Sequence, residues 1–503
     1  MNAASFLLPI AAGVALWLSF PDPGFFRIGW IALIPFLLFL LIEERWKRVI
    51  AGHYLFSLVY LGATVYWIPA LLVGYGGLDW FSSVGVFFLM LLTLSTVLLP
   101  FSAIFFRIGR ESPQAALVAA PGIWLAVELL RNEIPFGGFP WSALGYSQFP
   151  YKLIIQCADL GGVYLVSFVV VLVNVSILGL VKYRMKGLAV AAGTIFLAAN
   201  LYGWYRLSIW EVSDDGYLAV GLIQPDIELA RERDYYASQY FESVPELFNR
   251  VADEGAQLII LPEAQNPYFY PQNFYFKNFW EAQVKRRKVY FLFNSAASED
   301  EEYREYFNSL HLLEPTGERS YRYDKVHLVP FGEYLPLADL LWFAGSLVSE
   351  VSAFKAGDKL EVGKIGPVRF GSLICYEAIF PELSRQLTAE GAQILFNVTN
   401  DRWFGRTSAP GQHLEMAGFR AVENRRYFVR VANSGYTAII TPRGDVQHQT
   451  RLFEPATVTA RVGFNSIESP YTRFGSLLNI GIIIVTLAAG LLSLILRRNE
   501  GAR

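Results

Sequence analysis

A thiol and a carboxylate each follow a short apolar run that reads as a β-strand, and a third strand end delivers an ammonium group. Cys375 ends Val368-Arg-Phe-Gly-Ser-Leu-Ile374, with Glu377 close behind it. Glu263 follows Leu258-Ile-Ile-Leu-Pro262, and Lys325 stands in Tyr323-Asp-Lys-Val-His-Leu-Val-Pro-Phe-Gly-Glu333. A thiol is mostly protonated near neutral pH and needs a base to become a nucleophile; a carboxylate whose pKa is raised by burial can serve, and Glu263 fits. The charge that builds on a carbonyl oxygen during acyl transfer needs a preorganised donor, and the Lys325 ammonium suits it. Taken singly, each residue has a plainer reading: Glu263 as a solvated strand-end cap, Lys325 as the surface partner of Asp324, Cys375 as a core thiol. Spacing alone does not show that the three converge.

The elements that must position these groups lie in a polar stretch from about 216 to 463, roughly 250 residues and so the size of one α/β unit. Its short apolar runs bounded by turn residues predict strands at Tyr217–Ile223, Leu258–Leu261, Val289–Phe293, Val368–Ile374, Gln393–Asn397 and Tyr427–Ala432. Helical patterns intervene, as at Val244–Glu254 and Gln412–Glu423, and such alternation predicts sheets covered by helices.

The rest of the chain is too apolar for an aqueous domain. Of the 503 residues 53% are hydrophobic and only 17% charged, and the mean hydropathy is +0.33. A helix needs about 20 apolar residues to cross a bilayer. Candidate spans lie near 4–20, 28–42, 49–73, 81–106, 113–130, 162–181, 187–206 and 475–496, about eight in all. The first lacks the basic start of a cleaved signal and is read as a retained helix; the second is short enough to be tilted or re-entrant. Arg45, Lys47, Arg48, Arg107, Arg110, Lys182, Arg184 and Lys186 fall in alternate loops, and Arg497, Arg498 and Arg503 in the tail. That asymmetry predicts both termini in the cytoplasm and the 216–463 region outside. The domains expected are therefore 1–210 with seven spans, 216–463, and 470–503 with a last span and a cytoplasmic tail.

Other signals restrict the chemistry. The net charge of −2, with basic residues forming short clusters at the ends of apolar stretches, does not suggest a nucleic-acid surface. Two cysteines, Cys157 at the edge of an apolar segment and Cys375, do not predict a disulfide. The five histidines show no ligand spacing and there is no phosphate-cradling glycine loop, so neither metal nor cofactor is expected. Glu128 and Arg131, near the end of the fifth span, either pair, face water or snorkel to the interface. The aromatic run 268–280 and the apolar run 340–348 are read as loops that dip toward lipid, against the plainer reading that they pack on their own domain.

Longer motifs carry a resemblance. Leu261-Pro-Glu263, Tyr323 to Pro336, Ile374-Cys-Tyr-Glu377 and Asn400-Asp-Arg-Trp-Phe-Gly405 resemble the nitrilase superfamily, whose catalytic set is Glu, Lys and Cys. Pro330-Phe-Gly-Glu333, the Asn-Asp-x-Trp-Phe-Gly element and the surrounding spans resemble one branch, the apolipoprotein N-acyltransferases, over essentially the whole chain. The likeness extends through Gln412-His413, Arg420-Ala-Val-Glu423 and Ala432-Asn-Ser-Gly-Tyr-Thr437. It implies a multi-span α-helical membrane protein carrying a nitrilase-like α-β-β-α sandwich. It also implies that Cys375 takes an acyl chain from a phospholipid, with Glu263 as base and Lys325 facing the oxyanion. The chain would then pass to the α-amino group of a diacylglyceryl-cysteine on an apolipoprotein. Glu333, Tyr376 and Glu377 match positions the family uses around its site, and supporting roles are expected of them; Trp403 and Phe404 either line an acyl pocket or fill the core. The implied setting is the bacterial inner membrane with the catalytic domain periplasmic, and a monomer is expected.

The chain departs from the family pattern in two places. Val326 stands where relatives often have Arg, and the run Gln224 to Arg233 lacks a Trp. These changes bear on head-group or acyl-chain contacts rather than on reaction type. Two rivals remain at this stage: a membrane-tethered amidase that hydrolyses small amides, and a non-enzymatic transporter or assembly factor.

Overall fold

The computed structural model describes residues 3–74, 76–209, 215–228, 233–263, 267–270, 272–298, 306–334, 336 and 354–501. It divides into two compact units, one of Met1–Pro69, Asp79–Glu211 and Arg473–Arg503, the other of Ala70–Leu78 and Val212–Thr472.

Five described helices are long and apolar enough to cross a membrane: Trp80–Glu111, Pro113–Leu130, Ala158–Tyr183, Lys186–Ser208 and Leu477–Leu496. A sixth is added if Trp46–Thr64 and Ile68–Gly74, bent by 54°, count as one span, and Ala4–Ser19 and Phe26–Ile42 are shorter apolar helices. The second expected span is thus broken rather than merely short. Its first part, Phe26–Trp30, is a 3-10 turn, and the α-helix starts only at Ile34. A buried side chain repairs the break: Asn174 accepts from the Leu33 amide (2.9 Å) and donates to the Gly29 carbonyl (2.9 Å). Backbone groups freed within an apolar unit must find such internal partners. The same device recurs at the kink of Ala158–Tyr183, where the Gly161 carbonyl accepts from Asn479 at 2.8 Å.

Caps fix other helix starts. Asp79 accepts from the amides of Phe81 and Ser82, and Ser112 from that of Ala115. Glu128 and Arg131 do not snorkel. They are 2% and 1% exposed, and Glu128 accepts from the Trp124 indole (2.9 Å) and the Leu144 amide (2.8 Å). This fastens the loop after Leu130 to its helix.

The second unit holds two six-stranded sheets. The strands are β1 (Gly216–Gln224), β2 (Leu258–Ile260), β3 (Tyr290–Ser298), β4 (Tyr306–Leu313), β5 (Arg319–Asp324) and β6 (Val362–Ile365). They continue with β7 (Val368–Ile374), β8 (Ile394–Thr399), β9 (Tyr427–Ala432), β10 (Ala438–Ile440), β11 (Val446–Gln447) and β12 (Ala456–Phe464). One sheet runs β12-β1-β2-β3-β4-β5 and the other β11-β10-β9-β8-β7-β6. β1–β2–β3 and β7–β8–β9 are parallel, the remaining pairs antiparallel.

Strand periodicity sorts the apolar residues. Leu258 and Ile260 join Leu222, Phe370, Ile374 and Val398 in one cluster fed by both sheets. Ile259 and Leu261 face the other way, into a cluster with residues of helices Arg233–Asp253 and Phe274–Arg287. On the second sheet Leu373 and Leu395 pack with Leu387, Leu414 and Ala417 from helices Pro381–Ala389 and Ala409–Asn424.

The aromatic run expected to dip toward lipid is largely inside the unit. Asn273 caps helix Phe274–Arg287, and Tyr270, Phe276 and Trp280 are buried against Tyr240, Phe248 and Phe293. The plainer reading holds for these residues because a helix, not a loop, carries most of the run; Phe274 and Tyr275 alone stay strongly exposed. The other run, 340–348, lies outside the described residues.

Candidate active site

β7 ends at Ile374 and passes at once into a 3-10 turn, Cys375–Ile379, in which Cys375 has φ +49°. A left-handed backbone is uncommon for a residue with a Cβ and persists only where its surroundings hold it. Glu377 supplies much of that hold. Its Oε2 accepts from the Ile374 amide at 2.7 Å. Its Oε1 accepts from the Tyr323 hydroxyl (2.8 Å) and the amides of Val326 (2.8 Å) and His327 (3.1 Å). One buried carboxyl therefore ties the Cys375 turn to the segment carrying Lys325. Burial pushes its pKa up to about 7 against the pull of these donors and of Lys325.

Lys325 follows β5 directly, with its amide on the Asn308 carbonyl (2.9 Å). Its ammonium is 1% exposed and sits 2.9 Å from Glu333 Oε1 and 3.5 Å from Glu263 Oε1. Burial opposes its charge, but Glu333, Glu263 and Cys375 outweigh burial and hold its pKa above the ordinary lysine value. Glu333 is fixed in turn by the Val329 amide at 2.8 Å.

Glu263 lies just beyond β2, 6% exposed. Asn308 on β4 donates at 2.9 Å to Oε1 of both Glu263 and Glu333, so one amide group orients two carboxylates. Glu263 also shares a hydrogen bond with Cys375. Burial pushes its pKa up, Lys325 pulls it down and Glu333 pushes it up again, leaving it above the ordinary glutamate value. Burial and the Glu263 charge likewise raise the Cys375 thiol, while Lys325 and Thr399 oppose them. At rest the thiol is protonated and faces a basic carboxylate, the pairing that lets a proton leave as sulfur attacks.

The other expected residues fall around this centre. Tyr376 packs edge-on against Phe380 at 5.1 Å and lies 5.9 Å from the His327 ring. Trp403 is half-buried on the turn Asp401–Phe404. No group of three or more His, Cys, Asp or Glu able to hold a metal occurs among the described residues, and both cysteines are free.

Sequence reading missed Asn308 and a buried polar cluster behind Cys375. In that cluster Asp401 accepts from Arg430, from Thr399 Oγ1 (3.1 Å) and faces His413 Nδ1 (3.1 Å). Arg430 also donates to Asn397 (2.7 Å), whose amide reaches the carbonyls of Leu373 (3.2 Å) and Cys375 (3.4 Å). Asp401 stood in a quoted motif, but nothing local in sequence joins it to Arg430 in the middle of a strand. Gln224, at the edge of the run without Trp, braces the unit instead: it donates to the Arg451 and Glu454 carbonyls and accepts from Thr450.

Two family models match the chain, the apolipoprotein N-acyltransferase N-terminal domain over residues 12–176 and the carbon-nitrogen hydrolase over 219–470. An apolipoprotein N-acyltransferase of Geobacter metallireducens is 36% identical over 93% of this chain and 91% of its own length. One of Allorhizobium ampelinum is 31% identical over 89% and 87%. Among solved structures, a nitrilase-superfamily amidase from Nesterenkonia is similar at 20% identity and a TM-score of 0.38, over 52% of this chain and 95% of that one.

Proposed function

Because the chain belongs to the apolipoprotein N-acyltransferase family, we propose that it moves a fatty acyl chain from a membrane phospholipid to an apolipoprotein through a thioester on Cys375. Glu263 accepts the thiol proton as sulfur bonds to the ester carbonyl carbon. The Lys325 ammonium stabilises the resulting oxyanion. Collapse breaks the ester C–O bond, and Glu263 returns the proton to the departing lysophospholipid. The α-amino group of an N-terminal diacylglyceryl-cysteine then attacks the thioester and gives its proton to Glu263. The C–S bond breaks, an amide forms and the thiol is restored. A covalent intermediate makes the kinetics ping-pong.

Glu333 and Glu377 position the reacting groups, the first by holding Lys325 and the second by holding both Lys325 and the Cys375 turn. Tyr376 and Trp403 border the acyl chain. We read the catalytic unit as an α-β-β-α sandwich spanning about 216–463, the chain as crossing the bacterial inner membrane eight times, and the broken and short helices as spans. On that reading 1–210 carries seven spans, 470–503 the last one with a cytoplasmic tail, both termini are cytoplasmic and the catalytic unit is periplasmic. The enzyme acts as a monomer without cofactor.

The observation that carries the reading is the buried meeting of Glu263, Lys325 and Cys375. The test is to incubate the full chain in detergent with a phospholipid labelled in its acyl chain and a diacylglyceryl peptide. Label on the peptide amine is expected. Hydrolysis of small amides without acyl transfer would overturn the proposal in favour of an amidase.

A further inference from the structure

Thr399 is the last residue of β8, and β8 runs parallel to β7 with Val398 opposite Ile374. Thr399 is the residue after Val398, and Cys375, the residue after Ile374, opens the 3-10 turn, so the end of the ladder brings the two residues close together. Thr399 is fully buried, and its hydroxyl favours the ionised form of the Cys375 thiol. The same hydroxyl donates to Asp401 Oδ1 at 3.1 Å. Asp401 is itself immobilised by Arg430 and His413, both buried.

We propose that the Thr399 hydroxyl is a further catalytic group, which steadies the Cys375 sulfur while the thiol proton leaves. The inference rests on Cys375 being the nucleophile. In the resting site the hydroxyl has one proton, and Asp401 holds it. As Glu263 takes the thiol proton, negative charge builds on the buried sulfur. The hydroxyl then turns its proton from Asp401 to sulfur. Asp401 loses one donor and keeps Arg430 and His413, so its charge stays compensated throughout. As the C–S bond forms the sulfur charge disappears and the hydroxyl returns to Asp401. Proton count is conserved, because Thr399 never gives its proton away. A buried charge gains more from such a preorganised donor than a solvated one would.

The second role is geometric. The cluster that holds Thr399 also holds the carbonyl of Cys375, through Asn397. The strained φ of the nucleophile and the direction of its hydroxyl partner are thus set by one group of side chains.

The test compares Thr399→Val, which keeps the shape and removes the hydroxyl, with Thr399→Ser, which keeps the hydroxyl. The readouts are the pH dependence of Cys375 alkylation by iodoacetamide, the rate of acyl-adduct formation from phospholipid, and the melting temperature. For Thr399→Val the alkylation profile shifts to higher pH and acylation slows at least about tenfold, a loss of about 1.4 kcal/mol of transition-state stabilisation. Thr399→Ser stays within about threefold of the unmodified enzyme. Should the Val variant not fold, Thr399→Ala is read in its place. A hydroxyl-free variant that melts normally and keeps the original pH profile and rate overturns the proposal, and so does a loss that Ser does not rescue. Absence of any acyl adduct on the unmodified enzyme would instead count against Cys375 as nucleophile, so the two failures are told apart by the control.

Discussion

At the scale of single residues, the account turns on two buried carboxylates competing for one ammonium. Glu263 must be ionised to accept the thiol proton. Burial raises its pKa, Lys325 lowers it and Glu333 raises it. Acylation of Cys375 therefore declines as pH falls through a value above that of a solvated glutamate, and the acid limb of the single-turnover pH profile lies correspondingly high. Glu333→Gln removes one of the raising charges, so its acid limb moves to lower pH even as the looser Lys325 lowers the maximum rate. An unmoved or upward-shifted limb would contradict this assignment. Residue types were legible from sequence, because thiol and carboxylate stood at the end of an apolar run and the ammonium in the Tyr323–Glu333 motif. Their convergence was not. It depends on Asn308 and Glu333 meeting Glu263 across segments far apart in the chain, and no local pattern records such meetings.

At the scale of elements, Glu377 is the joint between β5 and β7. Glu377→Ala leaves three backbone amides and the Tyr323 hydroxyl buried without their acceptor. At about 1–3 kcal/mol for each such group, this lowers the melting temperature by at least about 10 °C and acylation at least about a hundredfold. A melting curve with single-turnover kinetics checks both. Helix Lys186–Ile209 offers a test away from the site. A Cβ on Gly203 would lie 1.9 Å from the Leu153 carbonyl oxygen, whereas one on Gly187 would meet nothing within 4 Å. Gly203→Ala is expected to destabilise the chain and Gly187→Ala to leave it unchanged or raise its stability by up to about 1 kcal/mol, as thermal unfolding in detergent will show.

The same scale explains which elements were readable. Strands β1, β2, β3, β7, β8 and β9 are apolar runs buried on both faces, and the sequence marks them. β5, Arg319-Ser-Tyr-Arg-Tyr-Asp324, is an edge strand whose Arg residues stay partly exposed, so its apolar content is too thin to mark it. The second span was readable as apolar but not as broken, since only the distant Asn174 makes a 3-10 entry tolerable there.

At the scale of the whole molecule, an apolar body and a polar unit in one chain suit the proposed acyl donor from the bilayer. Hydropathy and loop charge made that division legible, whereas the 3-10 break in the second apolar helix was hidden. Orientation is open to direct labelling. With Cys375 replaced by Ser, a membrane-impermeant maleimide added outside spheroplasts should label Tyr275→Cys, whose parent residue is 84% exposed, and spare Lys182→Cys until the membrane is opened. The reverse pattern would invert the topology. The most direct test of the central claim is the intact mass of the full chain after incubation with phospholipid alone. The account predicts the gain of one acyl group on Cys375, removable by hydroxylamine and absent from Cys375→Ser. An unmodified Cys375 in a preparation that still completes acyl transfer to a diacylglyceryl peptide would contradict it.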